Sequence, residues 1–189
     1  IALLSGLPPL DDGQVTIDAS NAGVILDGRL TPAGTHGLVV NSDGNVVRGL
    51  QIVGFPGLGV FVSGNGNRIG GDGLIGRGPL GQGNLVSGNG NGGICLGDGM
   101  GNTVSGNLVG TDVHGTGAWG NGGFAGVFLG GPGCSHNIIG GRSPGEGNIV
   151  SGNLGDGIHF SNRANGNLVI GNCVGTDITG SFALGNRGT

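Results

Sequence analysis

Asp156 and His159 stand three residues apart in Asp156-Gly157-Ile158-His159, a spacing that lets a carboxylate and an imidazole meet across a turn and share a proton. They are the one acid–base candidate the chain offers, and no Ser in a nucleophile-elbow setting accompanies them. The most regularly placed acids are Asp112 and Asp177, which recur in Gly110-Thr111-Asp112 and, 65 residues on, in Gly175-Thr176-Asp177. Each opens a loop. As chemistry they would be a Ca2+ site or hydrolytic carboxylates; as structure they would be Asx turns, the carboxylate accepting backbone N–H groups a few residues ahead. Catalysis needs one site, so a part made twice at equal spacing favours the turn. His114, His136 and His159 lack the HxH or HExxH spacing of metal ligands. Cys95, Cys134 and Cys173 form no CxxC pair and fix no redox compartment. No resident cofactor is expected, and Ca2+ at Asp112 and Asp177 is the one metal the sequence suggests.

The elements that must position these groups follow from glycine. The chain has 51 Gly among 189 residues, more than a quarter, where ordinary usage is about 7%. Collagen is excluded because Leu7-Pro8-Pro9-Leu10-Asp11-Asp12 breaks any Gly-every-third pattern. Disorder is disfavoured because only 10% of residues are charged while 35% are apolar and clustered in short Val/Ile/Leu runs. Helices are excluded because the longest Gly-free run is Gln14 to Ala22, shorter than an average helix of about eleven residues. Many short strands and tight turns remain. A net charge of −4 without a basic stripe argues against a nucleic-acid partner. No apolar stretch approaches the ~18 residues of a membrane span.

Internal repetition organises the chain. One unit reads Gly, aliphatic, any, aliphatic or aromatic, beginning at Gly37, Gly59, Gly93, Gly126 and Gly157, with spacings of 22, 34, 33 and 31. A second, Asn-led unit begins at Asn45, Asn67, Asn102, Asn137 and Asn167, and a third short strand follows each. The shortest spacing is the bare rung, and the surplus falls in loops such as Asp72 to Gly83 and Asp112 to Gly122. Strands this short bury nothing alone but stack into a common core. Glycine at strand ends is expected to supply positive φ, and recurrent Asn, as at Asn107 and Asn172, can tolerate left-handed conformations and bond stacked neighbours.

The units Gly83-Asn84-Leu85-Val86-Ser87-Gly88-Asn89 and Gly147-Asn148-Ile149-Val150-Ser151-Gly152-Asn153, with the Gly-Thr-Asp … Gly-Asn loops, carry a resemblance. They look like the right-handed parallel β-helix repeats of the pectate-lyase-like superfamily, especially those of large secreted bacterial surface proteins. The resemblance covers about Val15 to Asn186. It implies a fold and a secreted or cell-surface location rather than an activity, because that superfamily holds lyases, hydrolases, epimerases, phage spikes and non-catalytic stalks. Its lyases abstract a proton with Lys or Arg, or with a Tyr/His pair, beside carboxylates that hold calcium. Lys and Tyr are absent here and all seven basic residues are Arg, which leaves Arg48, Arg68 or Arg142 without an Asp ladder beside them. Fragments of the polygalacturonase-like motifs, Asp11-Asp12, Gly34-Thr35-His36-Gly37 and Asn41-Ser42-Asp43, occur in the wrong order, and the final Arg-Ile-Lys cannot exist without Lys.

The sequence therefore predicts an all-β, right-handed parallel β-helix solenoid of about six rungs with three short strands per rung. It forms a single domain over 1–189, with ends, Ile1-Ala2-Leu3-Leu4 and Asn186-Arg187-Gly188-Thr189, that suggest a fragment of a longer chain prone to end-to-end self-association. Alternation puts Val47, Ile69, Val104, Ile139 and Val169 inside. It puts Val39, Phe61, Cys95, Phe128 and His159 outside as an apolar stripe roughly 19 Å long. That stripe would be covered by the loop holding Trp119 and Phe124, or would bind a protein or a polysaccharide along one face. The expected function is an extracellular structural or binding module, stalk-like, adhesin-like or glycan-associated. The alternative is a polysaccharide lyase or glycoside hydrolase with its site in the side loops, which should gather Arg and acids on one face where the sequence scatters them.

Overall fold

The computed structural model describes residues 1–188; Thr189, part of the chain end read above, lies outside them. Seventeen strands, β1 to β17 in chain order, coil into a right-handed parallel β-helix, with no helix among the described residues. Three parallel sheets form its walls. Sheet 1 stacks β1 (Thr16–Asp18), β4 (Val46–Arg48), β7 (Arg68–Gly70), β10 (Thr103–Ser105), β13 (Ile138–Gly140) and β16 (Leu168–Ile170). Sheet 2 stacks β2 (Ile25–Asp27), β5 (Gln51–Val53), β8 (Leu85–Ser87), β11 (Leu108–Val109), β14 (Ile149–Val150) and β17 (Cys173–Val174). Sheet 3 stacks β3 (Leu38–Val40), β6 (Leu58–Val62), β9 (Gly92–Leu96), β12 (Ala125–Gly130) and β15 (Asp156–Ser161).

Alternation delivers the expected register. Val47, Ile69, Val104 and Ile139 pair in succession and are fully buried. Val169 continues that column against Ile139 yet is 43% exposed, because no rung is stacked on its other side. At the opposite end Leu3, Leu7 and Leu10 lie against the core, and single bridges join Ala2 to Asp27 and Leu10 to Val40.

The five glycines that lead the sheet 3 units are required for space rather than for dihedral freedom, since none of them has positive φ. A Cβ at Gly59, Gly93 or Gly126 would run into an inward valine of sheet 2 (Val86, Val109 or Val150) and into a buried asparagine amide. The glycines that close the sheet 1 strands, Gly49, Gly70, Gly106, Gly140 and Gly171, do adopt positive φ and turn the chain into sheet 2.

Asparagine supplies the polar interior. Three ladders climb the corners: Asn45–Asn67–Asn102–Asn137–Asn167, Asn84–Asn107–Asn148–Asn172 and Asn89–Asn121–Asn153–Asn186. In each, a side-chain oxygen accepts the backbone N–H of the asparagine one rung before it, at 2.7–3.2 Å. In the second and third ladders the side-chain amide also donates up and back, as when Asn107 Nδ2 donates to Asn148 Oδ1 and to the Ile69 carbonyl, both at 2.9 Å. The first ladder is looser, for the Nδ2 groups of Asn67 and Asn102 are buried without a partner. None of these asparagines is left-handed; the non-glycine residues with positive φ are Gln14, His136, Asn162 and Arg163. The hydrogen bonds, not the turn dihedral, explain why Asn stands there.

The outer faces are finished differently. On sheet 2 the outward residues Leu85, Leu108 and Ile149 are buried, forming a second apolar cluster with Val53 and Leu80, against which Val113 and Cys173 pack. Leu80 and Val113 belong to the long loops that flank this sheet, so the loops roof it. Loops two rungs apart touch above the short turn between them: the Ile178 amide donates to the Gly115 carbonyl at 2.9 Å, and the Gly73 amide to the Gly145 carbonyl at 2.9 Å. Sheet 3 has no such roof.

Candidate functional site

The five residues expected as an outer stripe form one continuous column on sheet 3, with partners Val39–Phe61, Phe61–Cys95, Cys95–Phe128 and Phe128–His159. A second outward column lies one step earlier in each rung: Leu58 pairs with Gly92 and Ala125 with Asp156. At β9 both columns carry small side chains, Gly92 and Cys95, while the rungs on either side carry Leu58 and Phe128. The missing bulk leaves a notch.

That notch is a cavity of about 430 Å3 whose walls are almost wholly apolar. Its floor is Gly92-Gly93-Ile94-Cys95, with His36 and Leu58 on one side and Phe124, Ala125 and Phe128 on the other. The volume lies within the usual range for small-ligand pockets. Phe124 stands 78% exposed at the rim, an unusual position for a large aromatic group without a partner. Phe61 and Phe128 are half-buried. His36 Nδ1 accepts the Leu58 N–H at 2.9 Å, so the ring carries its proton on Nε2 as a donor. Phe61 stacks on His36 with centroids 6.2 Å apart.

Of the two outcomes weighed for the stripe, Trp119 does not provide the cover. Its indole lies against Gly88, at the corner leaving sheet 2, and its carbonyl accepts the Gly88 N–H at 2.9 Å. The chain must cross that corner before reaching sheet 3, so only the end of the segment, Gly123 and Phe124, reaches the notch. Cys95 is buried at 8% exposure despite facing outward, and burial, with a lesser contribution from Cys134, pushes its thiol up to about 12.

Asp156 and His159 do meet. Asp156 Oδ2 lies 2.6 Å from His159 Nδ1, and the imidazole stacks on Phe128 with centroids 5.5 Å apart and planes 8° from parallel. The pair sits at the end of the aromatic column, on the same face as the notch, with both side chains partly exposed. A carboxylate this close to an imidazole nitrogen fixes the orientation of the ring.

Asp112 and Asp177 are held as turn acids. Asp112 Oδ1 accepts the amides of His114 at 3.1 Å and Thr116 at 3.0 Å. Asp177 Oδ1 accepts those of Ser181 at 3.1 Å and Phe182 at 3.2 Å and the Thr179 hydroxyl at 2.8 Å. Desolvation opposes ionisation at both. At Asp112 it is outweighed by the amides of Thr116, Gly117 and His114, at Asp177 by the Thr179 hydroxyl and nearby amides, and both carboxyls lie below their ordinary range. No group of three His, Cys, Asp or Glu side chains gathers as a metal site among the described residues.

Arg48, Arg68 and Arg142 all lie along sheet 1. Arg48 pairs with Asp18 at 2.7 Å, holding that carboxyl well below the usual range together with Ser20. Sequence reading missed Leu58, Gly92 and Phe124 as site residues; the signal available was the lack of side-chain bulk at Gly92 and Cys95 within an otherwise large ladder. No family model matches the chain, and no curated protein or solved structure matches it either.

Proposed function

We propose that this β-helix is a secreted or cell-surface binding module of the pectate-lyase-like kind, and that it holds a sugar chain against the outer face of sheet 3. The observation that carries the reading is the unroofed apolar notch over β9, flanked by Phe124 and Phe128, with the His36 Nε2–H at its margin and the Asp156–His159 pair one rung beyond Phe128. Sugar rings present apolar faces that stack on aromatic side chains and hydroxyls that seek such donors and acceptors. A linear glycan running along the helix axis would meet Phe61, the notch and Phe128 in turn. The test is binding of oligosaccharides, screened by array and measured by calorimetry. Phe124→Ser with Phe128→Ser should abolish binding of the best ligand while lowering the melting temperature by only a few degrees. Undiminished binding in that variant would refute the site.

The Asp156–His159 contact of 2.6 Å favours a second reading, a polysaccharide-active enzyme using that pair as its acid–base group. Release of shortened products from a bound polysaccharide, lost in His159→Ala with binding retained, would establish it; binding without cleavage would leave the module reading alone.

A further inference from the structure

We propose a second ligand site on sheet 1, a groove that takes a ring-sized organic anion by its carboxylate or sulfate group. The groove encloses about 270 Å3 on the outer face. One outward column there runs Arg68, Thr103, Ile138, Leu168, and the next runs Gly70, Ser105, Gly140, Ile170. The surface therefore passes from a guanidinium and two hydroxyls to an apolar floor within a few rungs. Arg142, in the loop leaving β13, closes one side.

Neither guanidinium is held in an ion pair, although Glu146, kept below its ordinary range mainly by the Ser143 amide, also feels the charge of Arg68. The ion pairs among the described residues are Arg29–Asp27, Arg48–Asp18 and His159–Asp156, and neither Arg68 nor Arg142 takes part. Nor do their side chains, or the hydroxyls of Thr103 and Ser105, find a hydrogen-bond partner among the described residues. Glu146 is the one acid lining the groove, and its Oε2 is occupied in accepting the Ser143 N–H at 2.9 Å. Two free forks of N–H donors facing one groove in a chain of net charge −4 fit an oxyanion better than any neutral ligand, because charge-assisted donors lose most when their acceptor is uncharged. Ile138 and Leu168, 37% and 43% exposed, supply the apolar bed for the body that carries the anion. This site shares no residue with the notch on sheet 3 and stands independently of the function proposed for it.

The test is an NMR titration of the intact chain with glucuronate, cyclohexanecarboxylate, glucose and inorganic sulfate. The two ring-borne carboxylates should shift the amides of Thr103, Ser105, Ile138 and Leu168. Arg68→Gln and Arg142→Gln should each weaken that binding about tenfold without changing the melting temperature, and Glu146→Gln should strengthen it. Glucose matching glucuronate, or binding indifferent to either arginine substitution, would overturn the site. Sulfate binding as tightly as the ring-borne acids would overturn the assignment to an organic body.

Discussion

Sheets 2 and 3 present the same kind of outward ladder and meet opposite fates. Leu85, Leu108 and Ile149 on sheet 2 are sealed beneath Leu80 and Val113, whereas Phe61 and Phe128 on sheet 3 remain half-buried beside an open notch. The difference lies in the connections. Long loops leave sheet 1 before sheet 2 (71–84 and 141–148) and leave sheet 2 after it (110–121 and 175–186), so the strand between them is covered from both sides. Sheet 3 is left by short turns, and only Phe124 reaches over it. An apolar exterior is thus stabilised by loops in one place and left available in the other.

The largest effect should come from the interior that both faces share. Val104 is fully buried in the central column, and Val104→Asp would place a carboxylate among Ile69, Ile139 and their neighbours, at a cost of several kcal/mol. Both faces should be lost together, seen as loss of the β circular-dichroism signal. A variant that melts like the parent would contradict the rung register.

Next come paired truncations that separate the faces. Leu108→Ala, beneath the roof, should destabilise by about 2–3 kcal/mol, in the range of buried leucine truncations. Phe128→Ala, in the open column, should cost about 1 kcal/mol, because much of its ring is already in water. Equal losses in denaturant melts would show that sheet 3 is covered after all.

A smaller, pH-dependent effect should reach the roof, beside the one expected at the Arg48–Asp18 pair on sheet 1. The carboxyls of Asp112 and Asp177 lie below their ordinary range in the folded state, so their contribution is present above the unfolded carboxylate range and is lost as pH falls through the folded values. Acidification below about pH 4 should therefore loosen loops 112–118 and 177–183 first. Hydrogen exchange should report it at the Trp119 and Ile178 amides, which are bonded to the Gly110 and Gly115 carbonyls, while the β9 and β12 amides stay protected. Simultaneous loss would mean that the loops do not open as a unit.

Much of this architecture was legible in the sequence. The Gly-led and Asn-led units located the strands and their facing, because a period of two in a short strand leaves only one way to bury Val47, Ile69 and Val104. The stripe from Val39 to His159 followed from the same alternation, whereas Asp156 and His159, read as meeting across a turn, meet along a single strand, β15. What escaped was anything set by contacts between distant rungs. The leading glycines read as dihedral devices, yet at Gly59 or Gly93 the constraint is a valine and an asparagine arriving from other segments. The loop holding Trp119 and Phe124 read as one candidate cover for the stripe, but Trp119 is spent on Gly88, a corner earlier. The notch is an absence of side chain at Gly92 and Cys95, and a missing group leaves no motif.

The most direct test follows the methyl resonances of both faces while an oligosaccharide selected by array is titrated into the protein. The account predicts that Leu58 and Ala125, on the walls of the notch, shift in a saturable way, while Leu85, Leu108 and Ile149 beneath the roof stay unmoved. Shifts at the roofed leucines with Leu58 and Ala125 silent would contradict it.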